Sequence, residues 1–315
     1  MTDQIVSAQV RQLRESDLDE ADRICRSAFD TFVGVPDLFG DQDYVHTRCR
    51  AAPDLAVAAE LDGQLVGSNF ITCWGSFGFF GPLSIRPELW DKGLAKGLME
   101  VTMDILDNFR LTHTGLFTFG QSPKHVGLYQ RFGFWPRFLT SIVGRPLAAQ
   151  DVGERAGWAA LSELDEAGRS RAINECRNVT DELYPGLDLE RESRAVLEQG
   201  LGDVVLLEDD HLRGFAVCHI GSGTEAGSGS CYIKFAALRP DGTSEEFDRL
   251  LDACEELATT RGASMLQFGV NASHQEAYKR VMERGYRAGL IGVAMQRPNA
   301  PAWNREGLFI IDDWR

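Results

Sequence analysis

The stretch Leu83-Ser-Ile-Arg-Pro-Glu-Leu-Trp-Asp-Lys-Gly-Leu-Ala-Lys-Gly-Leu98 has the composition of an anion-binding turn. An apolar strand runs into Pro87, and a short loop with Gly93, Ala95 and Gly97 opens an amphipathic helix. Small residues let backbone N–H groups at a helix N-terminus close on a phosphate, which the helix dipole also favours. Lys92 and Lys96 add positive charge at the same place. Pro87 halts strand pairing just before the loop, which suits a splayed strand whose exposed backbone bonds a ligand. The same residues also fit a plain strand–helix turn whose glycines only set its geometry. Further on, Ser122-Pro-Lys-His-Val-Gly-Leu-Tyr-Gln-Arg-Phe-Gly-Phe134 places Tyr129 on a short helix ended by Gly133. Other chemistries find no support. The histidines (46, 113, 125, 211, 219 and 274) have no ligand spacing with cysteine or acid, so no metal is expected. There is no G-x-S-x-G elbow and no Walker A loop.

The elements that must position these residues follow from periodicity. Val10–Leu13 reads as a strand, and Ser16 to Asp19 as a capping box before a helix with apolar Leu18, Ala21, Cys25, Ala28 and Phe29. Leu55–Leu61 ends at the hairpin turn Asp62-Gly63, and strands follow at Gln64–Trp74 and Phe77–Arg86. A helix over Leu94–Phe109 has Leu94, Leu98, Val101 and Ile105 on one face. Gly115–Gly120 is a strand, Pro123–Arg131 a short helix, and Phe138–Val143 a closing strand.

The second half repeats much of this order. Trp158–Asp181 reads as helical, with strands at Val204–Leu207, Gly214–Ile220 and Tyr232–Leu238. Thr243 to Glu246 caps a helix with apolar Phe247, Leu250, Leu251, Cys254 and Leu257, which Arg261-Gly262 terminates. Arg86-Pro87 echoes Arg239-Pro240 at an offset of 153, Phe119-Gly120 echoes Phe268-Gly269 at 149, and Gly133-Phe134 echoes Gly285-Tyr286 at 152. Landmarks in one order indicate an internal duplication of roughly 150 residues. The expected units are 1–147 and 148–315, with a seam near Pro146–Gly157. Between them they imply an α/β (α+β) protein of two domains, each a mixed, mainly antiparallel twisted sheet flanked by helices. The glycine-rich Gly221–Ser230 reads as a flexible hairpin loop.

Taken together these residues resemble the GNAT superfamily of N-acetyltransferases. The family motif Gln/Arg-x-x-Gly-x-Gly/Ala, after an L-x-V-x-P strand, is met by Leu83-Ser-Ile-Arg-Pro87 and Trp90-x-x-Gly93-x-Ala95. Trp90 stands in the Gln/Arg slot. The later motif Asn-x-x-Ala-x-x-Leu-Tyr-x-x-x-Gly-Phe is met at Leu128, Tyr129, Gly133 and Phe134, with Ser122 for its Asn and His125 for its Ala. The resemblance covers the first half and, more weakly, the second.

It implies acetyl-CoA as co-substrate, with the pantetheine arm on the backbone of Leu83, Ser84 and Ile85. The pyrophosphate would sit on the amides of Asp91, Lys92, Gly93, Leu94, Ala95 and Lys96, with Ser122 nearby. Tyr129 would be the general acid, protonating the thiolate as an acceptor amine attacks the thioester directly. For the base, Phe77–Ile85 and Gly115–Gly120 contain no acid. Glu60 leads the candidates, with His46 and the carboxylate of Arg315 as further options. A non-catalytic acyl-CoA-binding or scaffold protein is the alternative. In the second half, Asp241, Glu245 and Glu246 crowd the phosphate loop and would repel pyrophosphate. The tyrosine slot falls on Val281 or Tyr278, depending on the anchor chosen.

Composition bounds the partners. The 315 residues hold 32 Lys and Arg against 47 Asp and Glu, a net charge of −15. That argues against nucleic acid and anionic lipid. It suits a cationic small-molecule amine such as a polyamine or an aminoglycoside, although acidic surfaces also serve solubility. The uncharged run Gly63–Ile85 is broken by five glycines and Pro82, which reads as two buried strands rather than a membrane span. Seven cysteines without a C-x-x-C pair, and no secretory signal, fit reduced thiols in a cytoplasmic protein.

Overall fold

The computed structural model describes residues 8–148 and 157–315. The first half runs β1 (Gln9–Gln12), α1 (Leu18–Val33), α2 (Val45–Ala51), β2 (Ala56–Leu61), β3 (Gln64–Trp74), β4 (Phe77–Phe80) and β5 (Ser84–Ile85). It continues with α3 (Leu94–Asn108), β6 (His113–Thr118), α4 (Pro123–Arg131) and β7 (Trp135–Pro146). The second runs β8 (Trp158–Ala160), α5 (Glu166–Leu183), α6 (Glu190–Glu198), β9 (Gly202–Glu208), β10 (Leu212–Gly221) and β11 (Gly227–Leu238). It closes with α7 (Ser244–Thr260), β12 (Met265–Asn271), α8 (Gln275–Glu283), β13 (Arg287–Arg297) and β14 (Ile310–Asp312).

Helix α1 forms because Leu18, Ala21, Ile24, Cys25 and Ala28 recur at helical spacing and are buried on one face. Gly34, at φ 77°, ends it with its N–H on the Asp30 carbonyl. The capping box expected at Ser16 does not form. The Asp17 carboxylate instead accepts from the Arg14 N–H at 2.8 Å and from Arg11, which folds Glu15–Asp17 into a 3-10 turn. Trp158 lies on a strand rather than a helix, because Trp158–Ala160 completes the sheet against β9. Helix α5 therefore starts only at Asp165, whose side chain caps it.

One continuous sheet carries both halves, in the order β1-β2-β3-β4-β6-β13-β7-β12-β11-β10-β9-β8. Strands β6, β12 and helices α4, α8 begin 152 residues apart, as do β7 and β13. The closing strands are exchanged between the copies. Strand β13 lies antiparallel between β6 (Val293 opposite Thr118) and β7 (Val293 opposite Leu139). Strand β7 lies between β13 and β12 (Val270 opposite Ser141). The repeat seam thus falls where β7 ends, yet β7 has second-half strands on both sides. Most of the expected seam, 149–156, lies outside the described residues.

A shared core seals the junction: Trp74, Phe77 and Phe79 pack with Phe235, Trp303 and Trp314. All seven cysteines are unpaired, and six are buried. No helix among the described residues is long and apolar enough to cross a membrane.

Candidate active site

The expected strand Phe77–Arg86 is broken in two, and the break makes a groove. Strand β4 pairs in parallel with β6 as far as Phe79 opposite Gly115. The chain then turns away, with the Gly81 N–H on the Phe70 carbonyl at 2.8 Å, and β5 pairs only with β3. The edge of β5 that faces away from β3 is open. The Arg86 N–H donates to the Val66 carbonyl at 2.9 Å, so antiparallel alternation aims Ser84 and Arg86 at β3. Leu83 and Ile85 therefore turn their backbone groups into the groove. Ser84 does not: its backbone serves the β3 ladder and its buried hydroxyl lies 3.4 Å from that of Ser68. Trp90 donates its indole N–H to the Ile85 carbonyl at 2.8 Å, which anchors the loop and takes that acceptor.

At the start of α3, Gly93 stands at φ 85° and Asp91 at φ 64°. No side chain caps the helix, and the N–H groups of residues 91–95 donate to no acceptor among the described residues. Lys96 differs, because its N–H already donates to the Gly93 carbonyl at 3.0 Å, so the free run ends at Ala95. Lys124 reaches across from α4 to Asp91 at 2.5 Å and lies 5.7 Å from the Trp90 ring centre. Lys96 pairs with Glu100 at 3.2 Å, and Lys92 has no ion pair among the described residues. The result is a rim of lysines and unpaired amides.

Ser122 caps α4 by accepting the His125 N–H at 3.3 Å. Tyr129 sits on the same helix, its ring 5.8 Å from that of Phe80 at the strand break. Burial pushes its phenol up to about 12, and the hydroxyl has no hydrogen-bond partner among the described residues. A phenol held protonated beside a groove can donate to a developing anion.

Glu60, the leading base candidate, is placed elsewhere. Glu60 lies opposite Leu65, while Phe80 lies opposite Ile71. Six residues along β3 separate these positions, about 20 Å at strand rise. Glu60 also accepts from Arg11 at 2.8 Å, so it belongs to an ion pair on the outer strands. The sequence could not show this, since β1 reaches Glu60 only through sheet pairing. His46 bonds Asp43 at 3.0 Å and Asp19 at 3.2 Å, and with Asp22 forms a half-buried acidic group in which Arg26 also pairs with Asp22. The Arg315 guanidinium lies over the Tyr232 ring at 4.6 Å and pairs with Asp313.

The second half lacks the open features. Its α7 is capped from within: Thr243 accepts the Glu246 N–H at 3.2 Å and Glu246 accepts the Thr243 N–H at 2.8 Å. Arg213 pairs with Glu246 and holds its carboxyl below the usual range. The groove is filled as well. Strand β11 leaves β12 after Ile233 opposite Phe268, and β14 then pairs with it at Phe235–Ala237. The constant offset of 152 between α4 and α8 puts buried Val281, not Tyr278, at the position of Tyr129.

Sequence reasoning missed one set of residues. Glu225, inside the supposed flexible loop, is fully buried and takes Arg48 bidentately at 3.0 Å and Lys234 at 2.8 Å. Lys234 also pairs with buried Glu192 at 2.7 Å. Arg48 then donates to the Gly81 carbonyl at 2.7 Å, at the strand break itself. The loop is ordered by these contacts and by Asp41, which accepts the Ser228 N–H at 2.8 Å. Only the lone acid in a glycine-rich run could have signalled it.

Residues 19–134 match the acetyltransferase (GNAT) family. No curated protein matches the chain. Among solved structures, a candidate acetyltransferase from Pyrococcus horikoshii is similar over 98% of this chain and 95% of its own, at 13% identity and a TM-score of 0.69. A GCN5-related N-acetyltransferase from Sphaerobacter thermophilus is similar over 94% and 96%, at 16% identity and 0.62. A glucosamine N-acetyltransferase region of a fungal multi-domain β-N-acetylglucosaminidase covers 92% of this chain and 38% of its own, at 12% identity and 0.61. At such identities the likeness is one of fold, and it runs through both halves. The open groove and the uncapped α3 thus lie within residues 19–134, the segment that matches the acetyltransferase (GNAT) family, and the chain as a whole shares the fold of GCN5-related N-acetyltransferases.

Proposed function

We propose that the protein transfers the acetyl group of acetyl-CoA to a primary amine, and that the first half alone carries the reaction. The observation that carries this reading is the contrast between two helix N-termini. That of α3 leaves five consecutive N–H groups free beside Lys92, whereas α7 caps itself through the Thr243 and Glu246 N–H groups. A pyrophosphate fits the first by hydrogen bonding and dipole, and is excluded from the second by carboxylates. The pantetheine amides would bond Leu83 and the Ile85 N–H, which leads the thioester to the strand break beside Tyr129. The amine then attacks the carbonyl carbon, the C–S bond breaks, and the phenol protonates the sulfur.

Titration calorimetry should show one acetyl-CoA per chain. Two equivalent sites would overturn the assignment of the second half as a silent copy, and no binding would overturn the reading altogether. Gly93→Val is expected to weaken acetyl-CoA by roughly tenfold or more. A β-branched residue at φ 85° is strained by about 1–3 kcal/mol and crowds the anion's approach. Unchanged affinity for this variant would remove the α3 N-terminus from the site.

A further inference from the structure

At the mouth of the first-half groove, five rings form a chain of contacts between α1 and α4. Phe32 meets Phe119 at 5.1 Å and His125 at 4.6 Å, and Phe29 meets Phe119 at 6.4 Å and Phe39 at 5.1 Å. All five are only partly buried, so each keeps some surface open to solvent. Phe119 follows β6 directly, and His125 lies one helical turn before Tyr129, which puts the two on one face of α4. His125 makes no side-chain hydrogen bond among the described residues. The segment 27–47 that frames the mouth contains Asp30, Asp37, Asp41 and Asp43 and neither Lys nor Arg.

We infer that this aromatic mouth is the acceptor site, that it takes a primary ammonium carried on a planar apolar body, and that His125 removes its proton. The inference deepens the acetyl-transfer reading and rests on it. Ring faces attract an ammonium, and a planar apolar body buries its surface against them. A polyamine or an aminoglycoside brings charge but no such body. In the reaction the ammonium passes one proton to the His125 imidazole and the free amine attacks the thioester carbonyl. The C–S bond breaks, the thiolate takes the Tyr129 proton, and the tyrosinate recovers a proton from the nitrogen of the new amide. One proton remains on His125 for release to water.

Burial, and then Lys124, hold His125 below its ordinary value, so it is a free base at neutral pH. The charged groups around it are few. Lys124 on its own helix is tied to Asp91, and Asp30 on α1 accepts the N–H groups of residues 37 and 38. The segment from Phe119 to Ser122 carries none.

The test measures turnover of 2-phenylethylamine and of spermidine by free-thiol release, with acetyl-CoA binding followed by calorimetry in every variant. Phenylethylamine should be the better substrate by kcat/KM, rising with pH through an inflection below about 6.5, the ordinary histidine value. His125→Gln should lower kcat by roughly 10²–10⁴-fold and abolish that inflection. Phe32→Ala should raise the KM for phenylethylamine roughly tenfold and the KM for spermidine by much less, because spermidine loses only the attraction of its ammonium to the ring. Neither change should alter acetyl-CoA affinity. A preference for spermidine, or a His125→Gln protein with the wild-type pH profile, overturns the inference. A wild type that binds acetyl-CoA but leaves phenylethylamine untouched overturns it while the donor site stands. A wild type that binds no acetyl-CoA overturns both.

Discussion

Tyr129→Phe is expected to lower kcat by roughly 10²–10⁴-fold, the usual contribution of a positioned acid. Acetyl-CoA affinity and the fold should change little, because the ring still packs on Phe80. The loss should appear in kcat rather than in donor binding, as expected for an interaction made mainly in the transition state. The sign of its pH dependence also follows. An acid acts in its protonated form, and burial holds this phenol up at about 12. Tyr129 should therefore cause no alkaline fall in rate within the range where the protein is folded. A folded Phe variant with near-normal turnover would show that the tyrosine only packs.

The second large effect is on stability. Glu225→Ala should lower the unfolding free energy by about 3–5 kcal/mol, because it leaves the buried Arg48 and Lys234 cations without their shared carboxylate. Urea unfolding should show a lower midpoint with a similar slope. Replacing the Arg48–Glu225 pair together by Met and Leu should recover much of the loss, since an apolar pair of similar volume avoids the desolvation. Burial alone pushes the Glu225 carboxyl up, but Arg48 and then Lys234 outweigh it and hold it well below the usual range. A depressed carboxyl stabilises the fold above its unfolded value and loses that contribution as pH falls through the folded one. The gap between wild type and variant should therefore persist through neutral and mildly acidic pH and close only in strong acid. A variant as stable as the wild type would show that the network contributes nothing to stability. Because Arg48 also holds the Gly81 carbonyl, the same variant should weaken catalysis by loosening the strand break.

Much of the protein is legible locally. The duplication, the strand–helix alternation and the glycine loop at Lys92–Ala95 are written in short-range terms: periodicity, capping chemistry and the backbone freedom of small residues. So is the self-capped start of α7 in the second half, because Glu246 sits where it can cap its own helix. Those features depend on residues within one or two turns of each other. The tertiary structure alone decided the rest. It broke the strand after Phe80, because β3 offers the chain a second partner at Ser68 that no pattern of Phe77–Arg86 reveals. It exchanged β7, which reads as an ordinary closing strand, with a β13 that the sequence reading leaves out, because equivalent edges of two copies compete for the same partners. It tied Glu60 to Arg11, sent β14 into the second groove, and buried Glu225 against a helix 177 residues away. Hydrogen bonding and ion pairing act through space, and a buried charge takes whichever partner the packing brings within reach.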